Sequence, residues 1–149
     1  MLLSKQYINR FSILVALLAL FEIGQAQNIM QQLKNNARTS HFARALAEAD
    51  LQDRLNSSGP FTLFAPSNSN FDKLNAVKNQ IRNLLLNHIF TGMATERSLK
   101  AMSEVTCLSG ETLIIVANNS QLLINEVPIV ESNIRADNGV IHIIDGVIK

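Results

Sequence analysis

The chain has 149 residues with 13 basic and 12 acidic side chains, a formal charge of +1, which leaves room for one domain and a targeting segment. Balanced charge without a Lys/Arg stripe offers neither counterion release to nucleic acid nor a pull toward anionic lipid, so nucleic-acid binding is disfavoured and no nucleic-acid partner is expected. A lone cysteine, Cys107, rules out an intramolecular disulfide, and a domain of about 120 residues can stand on its apolar core.

The N-terminus reads as a leader. Lys5 and Arg10 precede an unbroken apolar run, Phe11 to Phe21, and Gly24-Gln25-Ala26 puts small residues where a signal peptidase reads. A run of about 11 residues suits a signal-peptide core, whereas a membrane span needs about 20; an uncleaved anchor is the alternative. Residues 1–26 are assigned to a signal peptide and 27–149 to the mature domain. Removing Lys5, Arg10 and Glu22 leaves equal numbers of acidic and basic residues. No later apolar run reaches spanning length, and Asp145–Lys149 lacks the hydrophobic tail of a lipid-anchor signal. The expected product is secreted and extracellular, without membrane insertion.

Ile29, Met30, Leu33 and Ala37 recur at helical spacing. Thr39 or Ser40 caps a second helix with Phe42, Ala45, Leu46 and Ala49 in one stripe. Asn56 to Pro60 is a turn cluster. Phe61–Ala65, apolar on both faces, predicts an inner strand that Pro66 ends. Ser67 and Ser69 are candidate N-caps of a short helix, with Ser69 and Asp72 at capping-box spacing and Phe71 and Leu74 pointing inward. A further helix is expected from about Asn79 to Ile89, with Ile81, Leu84, Leu85 and His88 on one side and Thr91-Gly92 as its C-cap.

Strand patterns follow from Val105. Thr112–Ala117 and Gln121–Ile124 flank Asn118-Asn119-Ser120 as a hairpin. Pro128 places Val127–Val130 at an edge or a bulge. Asn138-Gly139 turns into a last strand, Val140–Ile148. Helices first and strands later predict an α+β domain.

Phe61–Phe71 (FTLFAPSNSNF) and Asn138–Ile148 (NGVIHIIDGVI) resemble the two motifs of the fasciclin (FAS1) family. Leu84–Phe90 (LLLNHIF) resembles the family's central segment and Thr106–Leu113 (TCLSGETL) its glycine-containing strand pair. The similarity covers residues 28–149. It implies a FAS1 fold, a compact wedge of strands with helices packed against it, in which Phe61, Thr62, Phe64, Ala65, Pro66, Asn68, Phe71, Gly139, His142 and Asp145 are the structural motif residues. It also implies cell adhesion or matrix contact through an integrin-like receptor or a matrix glycan or protein.

Two segments match family contact regions. The first, Leu85, Leu86, Asn87, His88 and Ile89, has Asn87 where the family has tyrosine; such a helix-end cluster reads either as contact surface or as core. The second, around Glu131, Asn133 and Ile134, has Asn133 in place of an aspartate, with Glu131 as the remaining carboxylate; it reads either as a contact or as a solvated loop. Strand alternation turns His142 and Asp145 to opposite faces, so each needs its own hydrogen-bond partner, and the Ser67-Asn68 elbow is expected to supply one. His142 reads as a core histidine.

His41, His88 and His142 are scattered and no metal or other cofactor is expected. No Gly-x-Ser-x-Gly elbow, phosphate loop or His-Glu-x-x-His motif occurs, so no enzyme is expected. Asn56-Ser57-Ser58 and Asn118-Asn119-Ser120 are glycosylation sequons in turns. Cys107 is either a buried thiol, leaving a monomer, or the link of a disulfide dimer. A soluble carrier of a small apolar ligand is the alternative function; it would require an enclosed apolar cavity of about 300 Å³ or more.

Overall fold

The structure, a computed structural model, describes residues 26–74 and 78–149. The expected signal peptide lies outside them except for Ala26. No helix among the described residues is long and apolar enough to cross a membrane.

Three helices open the domain: α1 (Ile29–Asn35), α2 (Ser40–Glu48) and α3 (Gln52–Leu55). Asn28 and Gln31 form a reciprocal capping box at the start of α1. Ile29, Met30 and Leu33 face inward as their spacing requires, but Ala37 lies beyond the helix and is exposed. In α2, Phe42, Ala45 and Leu46 are buried together with Ala43.

β1 (Phe61–Pro66) is buried along its whole length. It runs parallel to β7 (Gly139–Ile144) and antiparallel to β2 (Ile89–Thr91), with Phe61 opposite Gly139 and Phe64 opposite His142. The two motifs therefore lie side by side in one interior. Strands covered on both sides need apolar residues on both faces, and these two have them. Gly139 is required at the join, because a Cβ there would stand 2.0 Å from the Phe61 carbonyl oxygen.

The short α4 (Asn68–Phe71) follows β1, and α5 (Lys78–Leu86) precedes β2. The expected helix to Ile89 thus stops earlier: Ile89–Thr91 pairs with β1 as an edge strand, and Gly92, at φ 138°, closes that strand instead of the helix. Burial on the flank of β1 decides the matter, since Ile89 fills the core from a strand as well as from a helix. Next come α6 (Glu96–Lys100), capped by Thr95, β3 (Glu104–Thr106), β4 (Thr112–Ala117), β5 (Leu122–Ile124) and β6 (Val127–Ala136).

The strand order is β2-β1-β7-β6-β5-β4-β3. Leu108, just past β3, donates to the Ile89 carbonyl of β2 at 2.8 Å, so the sheet curls nearly closed. The β4–β5 hairpin forms as its sequence predicts. β6 meets the bulge alternative for Val127–Val130, since its register shifts at Val130, but departs from expectation otherwise. It is an inner strand of 10 residues between β5 and β7, so Pro128 is not at an edge, and Glu131 to Ile134 belong to the strand and not to a loop. Register shifts between Ile129 and Glu131 and between Glu131 and Ile134 make this stretch a double bulge.

Two apolar clusters result. One joins α1, α2 and α3 to Leu63, Ala65, Leu85, Ile89 and Ile141. The other, inside the curled sheet, gathers Phe64, Leu99, Val105, Cys107, Leu113, Ile115, Leu122, Ile124, Ile144 and Ile148. Each fully buried aliphatic or aromatic side chain contributes about 2 kcal/mol. The architecture is α+β.

Candidate functional site

The motif residues form a pinned junction around β1 and β7. Buried Thr62 donates from Oγ1 to the Gly92 carbonyl at 2.7 Å and accepts from Ala94 N at 2.8 Å, fixing the segment after β2. Phe64 stacks on His142 with ring centres 5.9 Å apart, and Phe71 meets Phe42 edge-on. Asn68 reaches back to α2: its Oδ1 accepts from His41 N at 3.0 Å, and its Nδ2 donates to the Ala37 carbonyl and to Ser40 Oγ. Neither Thr39 nor Ser40 caps that helix with its own side chain; Thr39 is buried and donates to the Leu33 carbonyl.

This geometry corrects the expected role of the Ser67-Asn68 elbow. Asp145 accepts from Asn70 Nδ2 at 2.7 Å, two residues beyond the elbow. His142 Nε2 donates to the Ala94 carbonyl at 2.7 Å, and its Nδ1 accepts from Asn133 N at 3.3 Å. Burial holds the His142 pKa below its usual value, opposed in part by the Ala94 bond and the Glu96 charge. Ser67 stands at the start of α4 without capping it by its side chain, and its Oγ accepts from Asn70. Ser69 lies within the helix, so no Ser69–Asp72 capping box forms; Asp72 takes His41 Nδ1 instead.

Of the central cluster, Leu85, His88 and Ile89 are at most 1% exposed and Asn87 9%. Leu85, His88 and Ile89 pack inside, Asn87 borders a cavity, and Leu86 is half-buried against the helical core. His88 donates from Nδ1 to the Leu84 carbonyl at 2.8 Å, and its Nε2 accepts from Ile148 N at 3.0 Å. That pairing sets the tautomer, and burial drives its pKa down to about 4.

The second cluster reaches the surface. Glu131 is exposed and paired with Arg38 at 2.6 Å, beside Val130, itself 51% exposed. A groove of about 470 Å³ runs between them and α4, lined by Arg38, Ser67, Asn68, Ser69, Val130 and Asp145. Asn133, at φ 62°, accepts from Glu96 N at 2.9 Å and so supports the start of α6; asparagine is among the few side chains that tolerate this backbone. Ile134 is partly buried against the helical core. The carboxylate and the asparagine of this segment therefore have different tasks.

Cys107 is 5% exposed, and burial pushes its thiol up to about 12. A dimer linked through it would have to open the sheet interior, which favours the monomer. Both sequon asparagines are exposed. Asn56 accepts from Asn28 Nδ2 at 3.3 Å. Asn118 Oδ1 accepts from Ser120 N, Ser120 Oγ and Gln121 N. Among the described residues, no three His, Cys, Asp or Glu side chains gather as metal ligands.

A second cavity, of about 970 Å³, lies between α5 and the C-terminal segment. Its walls carry Asn70, Gln80, Asn83, Asn87 and Ser109 beside Leu74, Leu84 and Val147. It opens to solvent and is rich in amides, unlike the enclosed apolar chamber that a carrier of apolar ligands needs.

The sequence profile of the Fasciclin domain family matches residues 37–149. The chain is 32% identical over 133 residues to Protein sll1483 of Synechocystis sp., covering 83% of this chain and 73% of that protein. It is 30% identical to Transforming growth factor-beta-induced protein ig-h3 of Sus scrofa, covering 81% of this chain but only 19% of that much longer protein. A solved FAS1 domain pair from the insect cell adhesion molecule Fasciclin I superimposes with a TM-score of 0.71 at 16% identity, covering 83% of this chain and 51% of that one.

Proposed function

The chain belongs to the fasciclin domain family, and from that premise we propose that it is a secreted, non-catalytic module for contact with cell surfaces or extracellular matrix. The observation that carries this reading is the exposed Val130–Glu131 strip, an apolar side chain next to a carboxylate on an inner strand. Pairing of Glu131 with Ile143 of β7, and of Val127 and Pro128 with β5 just before it, anchors the strip, so a partner meets it with little ordering cost. The Arg38 guanidinium that now pairs with Glu131 yields readily, since an exposed ion pair is worth about 0–1 kcal/mol. An integrin-like receptor holding a divalent cation, or a basic segment of a matrix protein, would take its place. Secretion is inferred from the leader pattern, and the exposed sequons fit a chain that carries glycans.

The test is adhesion of cells and of matrix components to purified residues 27–149, with and without divalent cations. Glu131→Ala should abolish cation-dependent binding while leaving the melting temperature unchanged, and Arg38→Ala should preserve it. Equal binding by the Glu131→Ala protein would overturn the reading. His88 is unsuited to this test, because its replacement disturbs the interior.

A further inference from the structure

Four side chains of α5 and its exit, Gln80, Asn83, Leu84 and Asn87, recur at helical spacing and line the 970 Å³ cavity as one stripe. The facing wall is Gly146-Val147, held in place because Ile148 is buried and its N–H bonds to His88 Nε2. Ser109 and Glu111 close a third side. Asn87 is only 9% exposed, and its carboxamide, which bonds to none of the described residues, keeps its accessible edge on the cavity. A polar occupant of the cavity would meet that carboxamide without opening the fold.

We infer that this cavity binds a polyhydroxylated ligand, a sugar unit, through the side-chain amides grouped around Asn87. A carboxamide offers two donors and an acceptor, matching hydroxyl groups that both donate and accept. Asn83 and Gln80 repeat that pattern along the helix, and Ser109 adds a hydroxyl opposite. Leu84 and Val147 supply the apolar contact that the C–H face of a pyranose seeks. The formal charges at the rim, Lys73, Lys149 and Glu111, are of both signs, so no single ion is favoured over a neutral polyol. The volume lies within the range of about 300–1,000 Å³ typical of small-ligand sites. The cavity shares no residue with the Val130–Glu131 strip, so the two readings stand or fall separately.

The experiment is a titration of isotope-labelled residues 27–149 with glucose, galactose, N-acetylglucosamine and cellobiose at millimolar concentrations, followed by NMR, with glycerol as control. At least one sugar should give saturable shifts centred on the side-chain amides of Asn87, Asn83 and Gln80. Asn87→Leu should weaken that response about tenfold or more, the equivalent of about 1.4 kcal/mol. Because the Asn87 carboxamide bonds to none of the described residues, this variant should melt close to the parent. If it misfolds, Asn83→Ala on the open side of the helix takes its place with the same expectation. No saturable shift with any of the sugars, an equal response to glycerol, or an unchanged affinity in the variant overturns the assignment.

Discussion

His88 Nε2 accepts a hydrogen bond from the backbone N–H of Ile148, 60 residues away, at 3.0 Å inside the core. The imidazole must be neutral to accept there, since a proton on Nε2 would face the Ile148 N–H. Burial accordingly lowers the His88 pKa from 6.5 to about 4, against a smaller opposing effect of the Leu84 hydrogen bond. The unfolded chain takes up this proton below about pH 6.5, whereas the folded chain refuses it until about pH 4. Stability therefore falls as pH drops through that window, by on the order of 3 kcal/mol for this residue. His142, lowered by burial in the same direction, adds to the loss. Urea unfolding followed from neutral pH down to about pH 4 should show the midpoint falling steadily; a level midpoint would mean that neither histidine is held neutral.

Asn138 at the β6–β7 turn holds two other segments, the start of α1 and the end of α3. Its Oδ1 accepts from Ile29 N at 2.8 Å, and its Nδ2 donates to the carbonyls of Leu55 and Ser57 at 2.6 and 2.8 Å. Asn138→Ala leaves buried groups unpaired on α1 and α3 and should cost about 2–4 kcal/mol by equilibrium unfolding. Asn138→Asp should cost at least as much, because a carboxylate would face two carbonyl oxygens.

Asn68 caps α2 from outside that helix, so Asn68→Ala should destabilise the domain by about 1–2 kcal/mol although it removes little apolar area. Hydrogen exchange localises the effect: the His41 amide, which bonds to Asn68 Oδ1, should lose protection before the amides of β7 do.

Cys107 should resist iodoacetamide in the folded protein near neutral pH and react once urea opens the sheet, since only the thiolate attacks. Non-reducing electrophoresis should show monomer. A disulfide dimer band from folded protein would mean that the thiol is reached from outside.

Much of the fold was legible because apolar patterning is local. Phe61–Ala65 and Val140–Ile144 carry apolar residues on both faces, which marks strands covered on both sides, and Asn118–Ser120 and Asn138-Gly139 mark their own turns. Boundaries were less legible. Ile89–Phe90 continues the helical apolar pattern of α5, and nothing local says that β1 has an edge waiting for it. The Glu131–Asn133 stretch reads as loop because bulges break the two-residue alternation of β6. Helix α6 is one short turn whose signal, Thr95 before Glu96, is common in loops as well.

The candidate sites divide along the same line. Chain order and chemistry alone established the leader pattern, the isolated cysteine, the paired motifs and the absence of known catalytic motifs, since each is a property of neighbouring residues. Whether His88 faces a partner or the C-terminus, whether Asp145 is held by Ser67-Asn68 or by Asn70, and that Val147 faces Asn87 across a cavity depended on segments brought together across 60 to 75 positions. A side chain's partners are decided by which backbone packs against it, and periodicity reports only which side of an element is buried.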